Sequence, residues 1–467
     1  MAFSSSIMDS TSWVDPALEA LSLPLGRGAD FSELYFEDNV QTRLSHDGSQ
    51  ISASSVTHMH GAGLYLMSGT ETRYGYTNGT DAASLRRLAE GLGSMVPWRV
   101  EAPVSTVQPV TEITYEPANP ILRNPDEVPT ADKKAMLDQA IAIAHAYSPK
   151  VVDAHADYQD RMQDVAVLNS EGTFSRERRV VTTLRFFVTV SDGVKSSGNW
   201  TNYSFAAGFE ALDSEEALRQ IVEPTVQTAL DGLVAKPIKA GYMPVVVDSG
   251  TFIHEDCGHP LESTHLKGGV FAGLVGQQVA SPLVTVCDGG VIPGYVGTNA
   301  MSDEGVPSAT NVLIEDGVLR NYMIDRLGSR QLGMPQTAAG RRQDYRFAPV
   351  ARMTNTYVRR GTTPTEDIIP SVDYGLYVRE VGGGNVDPVT GKFNFLASSG
   401  NIIEHGELTD PISNVNMSGR SIDALKRVAA VGDRYFRDTG ALCGADSGLI
   451  YVTAFMPRIL IDGMQVG

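Results

Sequence analysis

Apolar and polar residues alternate along several stretches of the first half of the chain, which is the pattern of half-buried β-strands. Turn dipeptides such as Asp47-Gly48 and Asn78-Gly79 lie between or after these stretches, as expected of hairpins. The alternation predicts strands over residues 32–37, 40–45, 61–67, 151–155, 164–169 and 180–191.

Between these strands, apolar residues recur every three or four positions, which indicates amphipathic helices. In one of them, Leu85, Leu88 and Leu92 share a face behind the capping pair Thr80-Asp81. A proline-rich stretch from Pro97 to Pro129 is only weakly periodic and predicts a surface connection. The predicted helices cover residues 15–27, 82–92, 130–146 and 215–233, the last with a bend at Pro224.

A linker-like break at Lys236-Pro237 and Gly241 separates this half from the rest of the chain. It predicts two domains, over residues 1–238 and 239–467. The length of 467 residues fits this division, because one hydrophobic core rarely serves so long a chain. The predicted fold class is α+β, with an N-terminal β-meander-plus-helix domain and a β-rich C-terminal domain.

The second half opens with a short apolar strand over residues 244–247, followed by the helix-capping residues Asp248 to Thr251. The next residues are predicted to form a helix that holds the candidate catalytic motif. Farther on, short apolar runs alternate with glycine turns, and one more helix is predicted over residues 421–431. The predicted strands cover residues 283–287, 312–315, 373–381 and 401–404.

The charge balance argues against a nucleic-acid partner. The formal net charge is −18 at pH 7, whereas nucleic-acid binding depends on lysines and arginines that neutralise phosphates. Two short basic clusters, Arg176 to Arg179 and Arg341-Arg342, fit structural ion pairs or a subsite for a carboxylate.

The cysteines and the apolar runs predict a cellular location. Cys257, Cys287 and Cys443 are widely separated and odd in number, which suits a reducing cytoplasm better than a disulfide framework. The first ten residues lack a signal-peptide pattern, and no apolar run has the length of a membrane span. We therefore expect a cytoplasmic protein with no membrane partner.

The candidate catalytic motif is His-Glu-x-x-x-His over residues 254–259, one residue longer than the His-Glu-x-x-His of many zinc proteases. Two imidazoles and a carboxylate can hold a divalent metal and activate a water. On a regular α-helix, however, His254 and His259 would point about 140° apart.

A π-type widening near Gly258 would bring both rings onto one face, and Pro260 already disfavours a regular helix. Metal binding by His254 and His259 therefore predicts a distorted helix. The alternative is that the two histidines and Glu255 are partners in ordinary hydrogen bonds at a helix end.

Two histidines need at least one further ligand, commonly a carboxylate or a thiolate. Glu262, His265 and Cys257 are near in sequence, and Cys443 is a distant candidate in a glycine-flanked loop. We interpret Cys257 and Cys287 as buried core residues, because free cysteine usually behaves as a small hydrophobe. The residues alone leave Glu262 and Cys443 open as the third ligand.

The motif and its surroundings resemble the TldD/PmbA family of metallopeptidases, over essentially the whole chain and most strongly from 244 to 448. One position departs from the family pattern, since Ala339 stands before Gly340 where an asparagine is expected. Besides the motif, the resemblance rests on Pro293 to Thr298, Asp303-Glu304-Gly305, Gly340-Arg341-Arg342, Arg352 to Thr356, Val381 to Gly384 and Cys443-Gly444.

The resemblance implies a catalytic subunit of the TldD type, because the partner subunits of the family lack the two histidines and the glutamate. It implies zinc as cofactor, with His254, His259 and Cys443 as ligands and Glu255 as general base on a zinc-bound water. It also implies a peptide substrate, and a dimer formed either with a second copy or with a catalytically silent TldE/PmbA-type paralogue.

The function predicted from these features is zinc-dependent hydrolysis of short or unfolded peptides. One alternative is a non-hydrolytic regulator, such as a DNA-gyrase-modulator-like binding protein, although that role leaves the motif unexplained. Another is a metalloenzyme that modifies a peptide without cleaving it. Candidate donors to the oxyanion of a hydrolytic reaction are Tyr295, Arg341, Arg342 and Tyr345.

Overall fold

The computed structural model of the chain describes residues 6–95, 105–436 and 440–467. Its α-helical segments are α1 Ser6–Asp9, α2 Val14–Leu25, α3 Ala82–Gly93, α4 Thr130–Tyr147, α5 Glu215–Val234, α6 Thr251–Ile253, α7 Arg326–Leu332, α8 Thr365–Ile368 and α9 Ser421–Lys426. Short 3-10 helices cover Pro125–Glu127, Phe209–Ala211, His259–Leu261, Ser263–His265 and Ile369–Ser371.

Strands make up most of the remaining regular structure. In the first half they are β1 Phe31–His46, β2 Ile51–Ser68, β3 Glu71–Thr77, β4 Thr111–Tyr115, β5 Val151–Asn169, β6 Thr173–Ser191 and β7 Ser196–Phe205. In the second half they are β8 Gly241–Val247, β9 Val286–Gly289, β10 Thr310–Glu315, β11 Val318–Leu319, β12 Gly340–Arg341, β13 Val350–Ala351, β14 Asn355–Val358, β15 Tyr374–Val386, β16 Lys392–Glu404, β17 Glu407–Ile412, β18 Val415–Arg420, β19 Val428–Tyr435, β20 Ala441–Ala445, β21 Gly448–Phe455 and β22 Pro457–Val466.

The first half forms one seven-stranded sheet in the order β3-β2-β1-β5-β6-β4, with β7 also paired to β6. Helices α2 to α5 all cover one face, because the apolar side chains of β1, β5 and β6 that point to that face share clusters with them. On the opposite face, Tyr35, Val165 and Val167 pack against Met301 and Tyr345 of the second half. The sheet therefore lies between its own helices and the remainder of the chain.

The long strands differ from the predicted short ones. The predicted pairs 32–37 with 40–45, and 151–155 with 164–169, each merge into one continuous strand, so the predicted breaks are wrong. Residues 31–39 of β1 are buried on both faces, including the polar Asp38 and Asn39, so the expected alternation is lost there. In the sequence, the polar residues at the centre of this buried strand therefore resembled a turn between two strands.

The predicted surface connection from Pro97 to Pro129 is partly wrong. Its first part, up to residue 104, lies outside the described residues. Beyond it, β4 pairs in parallel with the start of β6, with Thr111 opposite Thr173. The residues of β4 are mostly exposed, and Ile113 and Tyr115 are its only apolar residues, which explains why the pattern missed so short a strand. Helix α5 continues through Pro224 as one helix.

Two large sheets in the second half enclose one hydrophobic cluster, and β12 and β13 form a small two-stranded sheet beside them. Strands β15-β8-β22-β18-β16 form a sheet that closes on itself, because β15 also pairs with β16. The other sheet has the order β11-β10-β9-β14-β21-β20. Together with the first half, these sheets confirm the predicted α+β class with a β-rich C-terminal part. The predicted domain boundary at residue 238 stays a prediction.

Buried ion pairs join the two halves. Arg342 lies 2.8 Å from Glu33, and neither side chain is exposed to solvent. Arg179 lies 2.5 Å from Asp303, and the amide of Tyr345 donates to the carboxylate of Glu37. Removing one partner of such a pair would leave an uncompensated buried charge, so these contacts hold the second half on the open face of the sheet.

Across the described part of the chain, none of the helices combines the length and the apolar character needed to span a bilayer.

Candidate metal centre

The candidate metal centre begins where the buried strand β8 ends. Strand β8 leads through Asp248 into α6, and residues His254–Gly258 then form a π-turn. The amide of His259 donates to the carbonyl of His254, five residues earlier, which is the hydrogen bond that defines this turn. The predicted distortion of the helix near Gly258 is confirmed.

The wider turn brings the two histidines together. The ring centroids of His254 and His259 are 5.0 Å apart, and the ring planes are inclined by 82°. His254 is buried, whereas Glu255 and His259 are each half-buried. Asp256 and Cys257 face the interior, and Cys257 belongs to the hydrophobic cluster, consistent with its interpretation as a core residue.

Gly258 has no room for a side chain. A Cβ atom at this position would lie 1.9 Å from Sδ of Met353. We expect Gly258→Ala to destabilise the protein by about 1–3 kcal/mol, because the π-turn or Met353 must move. Chemical denaturation with parallel measurement of bound metal checks this.

The matched control is Gly91→Ala, at an exposed position of α3 where an added Cβ has no neighbour within 4 Å. That change should be neutral or stabilising by up to about 1 kcal/mol. Unchanged stability and metal content in Gly258→Ala would show that the close packing is unimportant.

Cys443 reaches the two histidines from the far end of the chain. It lies on β20, which forms a hairpin with β21, and its Sγ is 3.3 Å from Nε2 of His259. The candidate ligand atoms of His254, His259 and Cys443 all lie within 4.8 Å of one another. Two imidazole nitrogens and a thiolate are a donor set suited to zinc, with a further position open for water.

Glu262 lies on the other side of His259. Its carboxylate is 3.1 Å from Nδ1 of His259 and 3.4 Å from Nε2 of His265. These three residues form a second group whose donor atoms lie within 4.8 Å. Because Nε2 of His259 faces Cys443 while Nδ1 faces Glu262, we interpret Glu262 as a partner that orients the ring and Cys443 as the third ligand.

Arg352 connects this partner to the cysteine strand. It is fully buried, its Nε is 3.7 Å from Glu262, and its guanidinium donates to the carbonyl of Cys443 at 2.7 Å. The segment that contains Arg352 is one of those that carry the family resemblance, but the resemblance implies no role for this residue. What marks Arg352 in the structure is a fully buried positive charge beside a carboxylate. No local sequence pattern could have revealed this contact.

The charges in the centre are strongly coupled. Burial alone would raise the pKa of the Cys443 thiol, but hydrogen bonds with His254 and His259 lower it to about 5. Burial alone would lower the pKa of His259, but Glu262 and Cys443 raise it to about 11. These pKa shifts favour a thiolate at Cys443 beside an imidazolium at His259, and a bound cation would replace the proton of His259.

The two carboxylates behave differently. Burial alone would raise the pKa of Glu262, but His259, His265 and Arg352 lower it to about 2, so this group stays ionised. Burial raises the pKa of Glu255 above its ordinary value, although His254 and His259 oppose the shift. A raised pKa suits a carboxylate that accepts and returns a proton near neutral pH.

The candidate oxyanion donors are engaged in other contacts. Arg342 pairs with Glu33, the hydroxyl of Tyr345 donates to Asn78, and Tyr295 stacks on an aromatic ring of β21. Arg341 donates to two backbone carbonyls, those of Met353 and Tyr451. The geometry therefore does not single out one of the four for this role.

Comparison with known proteins agrees with the site. Residues 240–467 match the PmbA/TldA metallopeptidase C-terminal domain, and residues 123–233 match the PmbA/TldA metallopeptidase central domain. A metalloprotease TldD homologue of Haemophilus influenzae is 32% identical over 456 residues, which cover 94% of this chain and 93% of that protein. A second TldD homologue, from Buchnera aphidicola of Acyrthosiphon pisum, is 30% identical with the same coverage of both chains.

Solved structures share the fold at low sequence identity. TldE of Thermococcus kodakarensis superposes with a TM-score of 0.76 at 17% identity, covering 97% of this chain and all of that one. A candidate modulator of DNA gyrase from Thermotoga maritima gives 0.78 at 17% identity, covering 98% of this chain and all of that one.

The fold and the relatives define the class of this protein as metal-dependent peptidase. Within that class, the chain belongs to the TldD/PmbA family of metallopeptidases.

Proposed function

We propose that this protein is a zinc-dependent peptidase that hydrolyses short or unfolded peptides. The observation that carries the proposal is the convergence of His254, His259 and Cys443, with ligand atoms within 4.8 Å, next to the half-buried carboxyl of Glu255. Zinc in this donor set would polarise the peptide carbonyl and lower the pKa of a water.

Each residue at the site has a separate task in the proposed reaction. Glu255 takes a proton from the attacking water and returns it to the leaving amine, for which its raised pKa is suited. Glu262 accepts a hydrogen bond from Nδ1–H of His259, which leaves the lone pair of Nε2 directed to the metal site. Arg352 balances the charge of Glu262 and holds the backbone of Cys443.

The proposed partners are a peptide substrate and a second subunit. The second subunit is either another copy of this chain or a catalytically silent TldE/PmbA-type paralogue. The likeness of this fold to TldE of Thermococcus kodakarensis supports such pairing. A cytoplasmic location is also proposed, and the three free cysteines support it, because they suit a reducing compartment.

Product analysis separates this function from its rivals. The zinc-loaded protein is incubated with an unstructured peptide, and the products are identified by mass spectrometry. We expect two fragments whose masses sum to that of the peptide plus one water. An intact peptide of altered mass would favour the peptide-modifying alternative, and an unchanged peptide together with salt-dependent DNA binding would favour the gyrase-modulator alternative.

A further inference from the structure

A small open cavity adjoins the hairpin that carries Cys443. Four arginines line it, from β5, β6, β12 and the residue after β12, namely Arg161, Arg179, Arg341 and Arg342. Among the described residues of its wall, Asp303 is the single carboxylate. Leu449 also lines the cavity and is 52% exposed, so the cavity is open to solvent.

Arg341 differs from the other three arginines. It is only 6% exposed, and its Nη1 donates to the carbonyls of Met353 at 2.7 Å and Tyr451 at 2.8 Å. Within residues 6–95, 105–436 and 440–467 it forms no ion pair. The other three are paired, Arg161 with Glu37 at 3.0 Å, Arg179 with Asp303 at 2.5 Å and Arg342 with Glu33 at 2.8 Å.

A buried cation without an ion-pair partner is costly, because two backbone carbonyls do not neutralise its charge. Burial lowers the pKa of Arg341 to about 10. The carboxylates of Asp303 and Asp288 oppose this shift, whereas the neighbouring cations Arg179 and Arg352 add to it. An anion in the cavity would compensate this charge. The planar guanidinium fork matches a carboxylate, which can accept two parallel hydrogen bonds.

The cavity is close to the candidate metal centre. Ile450 lines the cavity and is the cross-strand partner of Cys443, so their Cα atoms are about 5 Å apart. Arg341 is bonded to the carbonyl of the next residue, Tyr451. Since an extended peptide advances about 3.3 Å per residue, a substrate at the metal centre reaches the cavity within a few residues.

We propose that this cavity is a subsite for a carboxylate group of the peptide substrate, with Arg341 as its central donor. The inference rests on the proposed peptidase function, because that function brings a peptide to the neighbouring centre. The carboxylate comes either from the C-terminus of the peptide or from an aspartate or glutamate side chain. Both sources have the same chemistry, and a set of matched peptides distinguishes them.

The test measures peptide binding by calorimetry to the full-length, zinc-loaded Glu255→Gln variant, so that no turnover is needed. Three peptides share one sequence: a free acid without acidic side chains, its C-terminal amide, and an amide with one internal glutamate. We expect one of the two carboxylate-bearing peptides to bind about 10- to 100-fold more tightly than the plain amide. Preference for the free acid identifies the C-terminus, and preference for the glutamate peptide identifies a side chain.

Adding Arg341→Met to this background should reduce the preference to within about twofold, because the unpaired guanidinium is gone. The matched control is Arg346→Met in the loop that follows β12, where a half-exposed arginine pairs with Asp344. The control should keep the full preference. Melting temperature and zinc content report whether each variant is folded.

Equal binding of all three peptides by the arginine-containing protein overturns the subsite, and this comparison holds even if Arg341→Met does not fold. A preference that survives in folded Arg341→Met also overturns it. The two proposals fail differently. Carboxylate-dependent binding without hydrolysis by the wild type overturns the peptidase function alone, whereas hydrolysis without any carboxylate preference overturns the subsite alone.

Discussion

Replacing Glu255 by glutamine is expected to lower kcat by about 10²- to 10⁴-fold, the usual contribution of a general acid–base group. The amide keeps the size of the carboxyl group but cannot take up the proton of the attacking water. Glu255 is not among the three residues whose ligand atoms converge, so bound zinc should stay stoichiometric. Steady-state kinetics on an unstructured peptide and metal analysis of the same sample check both statements.

The control for this variant is Glu407→Gln, which makes the same chemical change at an exposed position of β17. Its activity and zinc content should equal those of the wild type. Activity of Glu255→Gln within a few fold of the wild type would contradict the assignment of Glu255 as the base. Loss of zinc together with activity would instead make Glu255 a ligand.

The Cys443→Ala variant is expected to bind zinc at least about 100-fold more weakly, since loss of even an outer-shell partner costs 10- to 100-fold. Its thiol is already acidic, with a pKa of about 5, and is therefore a thiolate at neutral pH. Alanine removes this anion and leaves two imidazoles. Competition with a zinc chelator measures the affinity, and peptide hydrolysis should fall in parallel.

Cys287→Ala is the matched control for the loss of a thiol. Cys287 is also buried, but it lies on β9 and is not part of the candidate metal group. This variant should keep stoichiometric zinc and lose only some stability from the smaller core residue. Stoichiometric, tightly bound zinc in Cys443→Ala would return the role of third ligand to Glu262.

The local part of the site could be predicted from the sequence. The five-residue spacing of His254 and His259, with Pro260 directly behind, leaves few backbone conformations that place both rings on one face. The π-turn follows from that constraint, and the structure contains it. The helices α2 to α5 were predictable for a similar reason, since apolar periodicity and capping residues act within a few turns.

The lengths of the strands and their pairing partners were harder to predict from the sequence. The centre of β1 carries Asp38 and Asn39, whose burial depends on the strands and loops packed on both faces of the sheet. A pattern of apolar and polar residues therefore suggested a break there. Strand β4 gave only the short signal of Ile113 and Tyr115, because its place at the edge of the sheet leaves it mostly exposed.

By itself, the sequence determined helices α2 to α5, the β-rich second half and a distorted motif helix, because each follows from spacing along a short segment. The helix predicted over 421–431 ends earlier, at Lys426, and residues from Val428 onward form β19. Only the tertiary structure decided which groups meet this motif. The hairpin of β20 and β21 brings Cys443 to Nε2 of His259 across 184 residues, and Glu262 with Arg352 occupies the opposite nitrogen. Such contacts depend on how two sheets close around one core, and local periodicity carries no information about that closure.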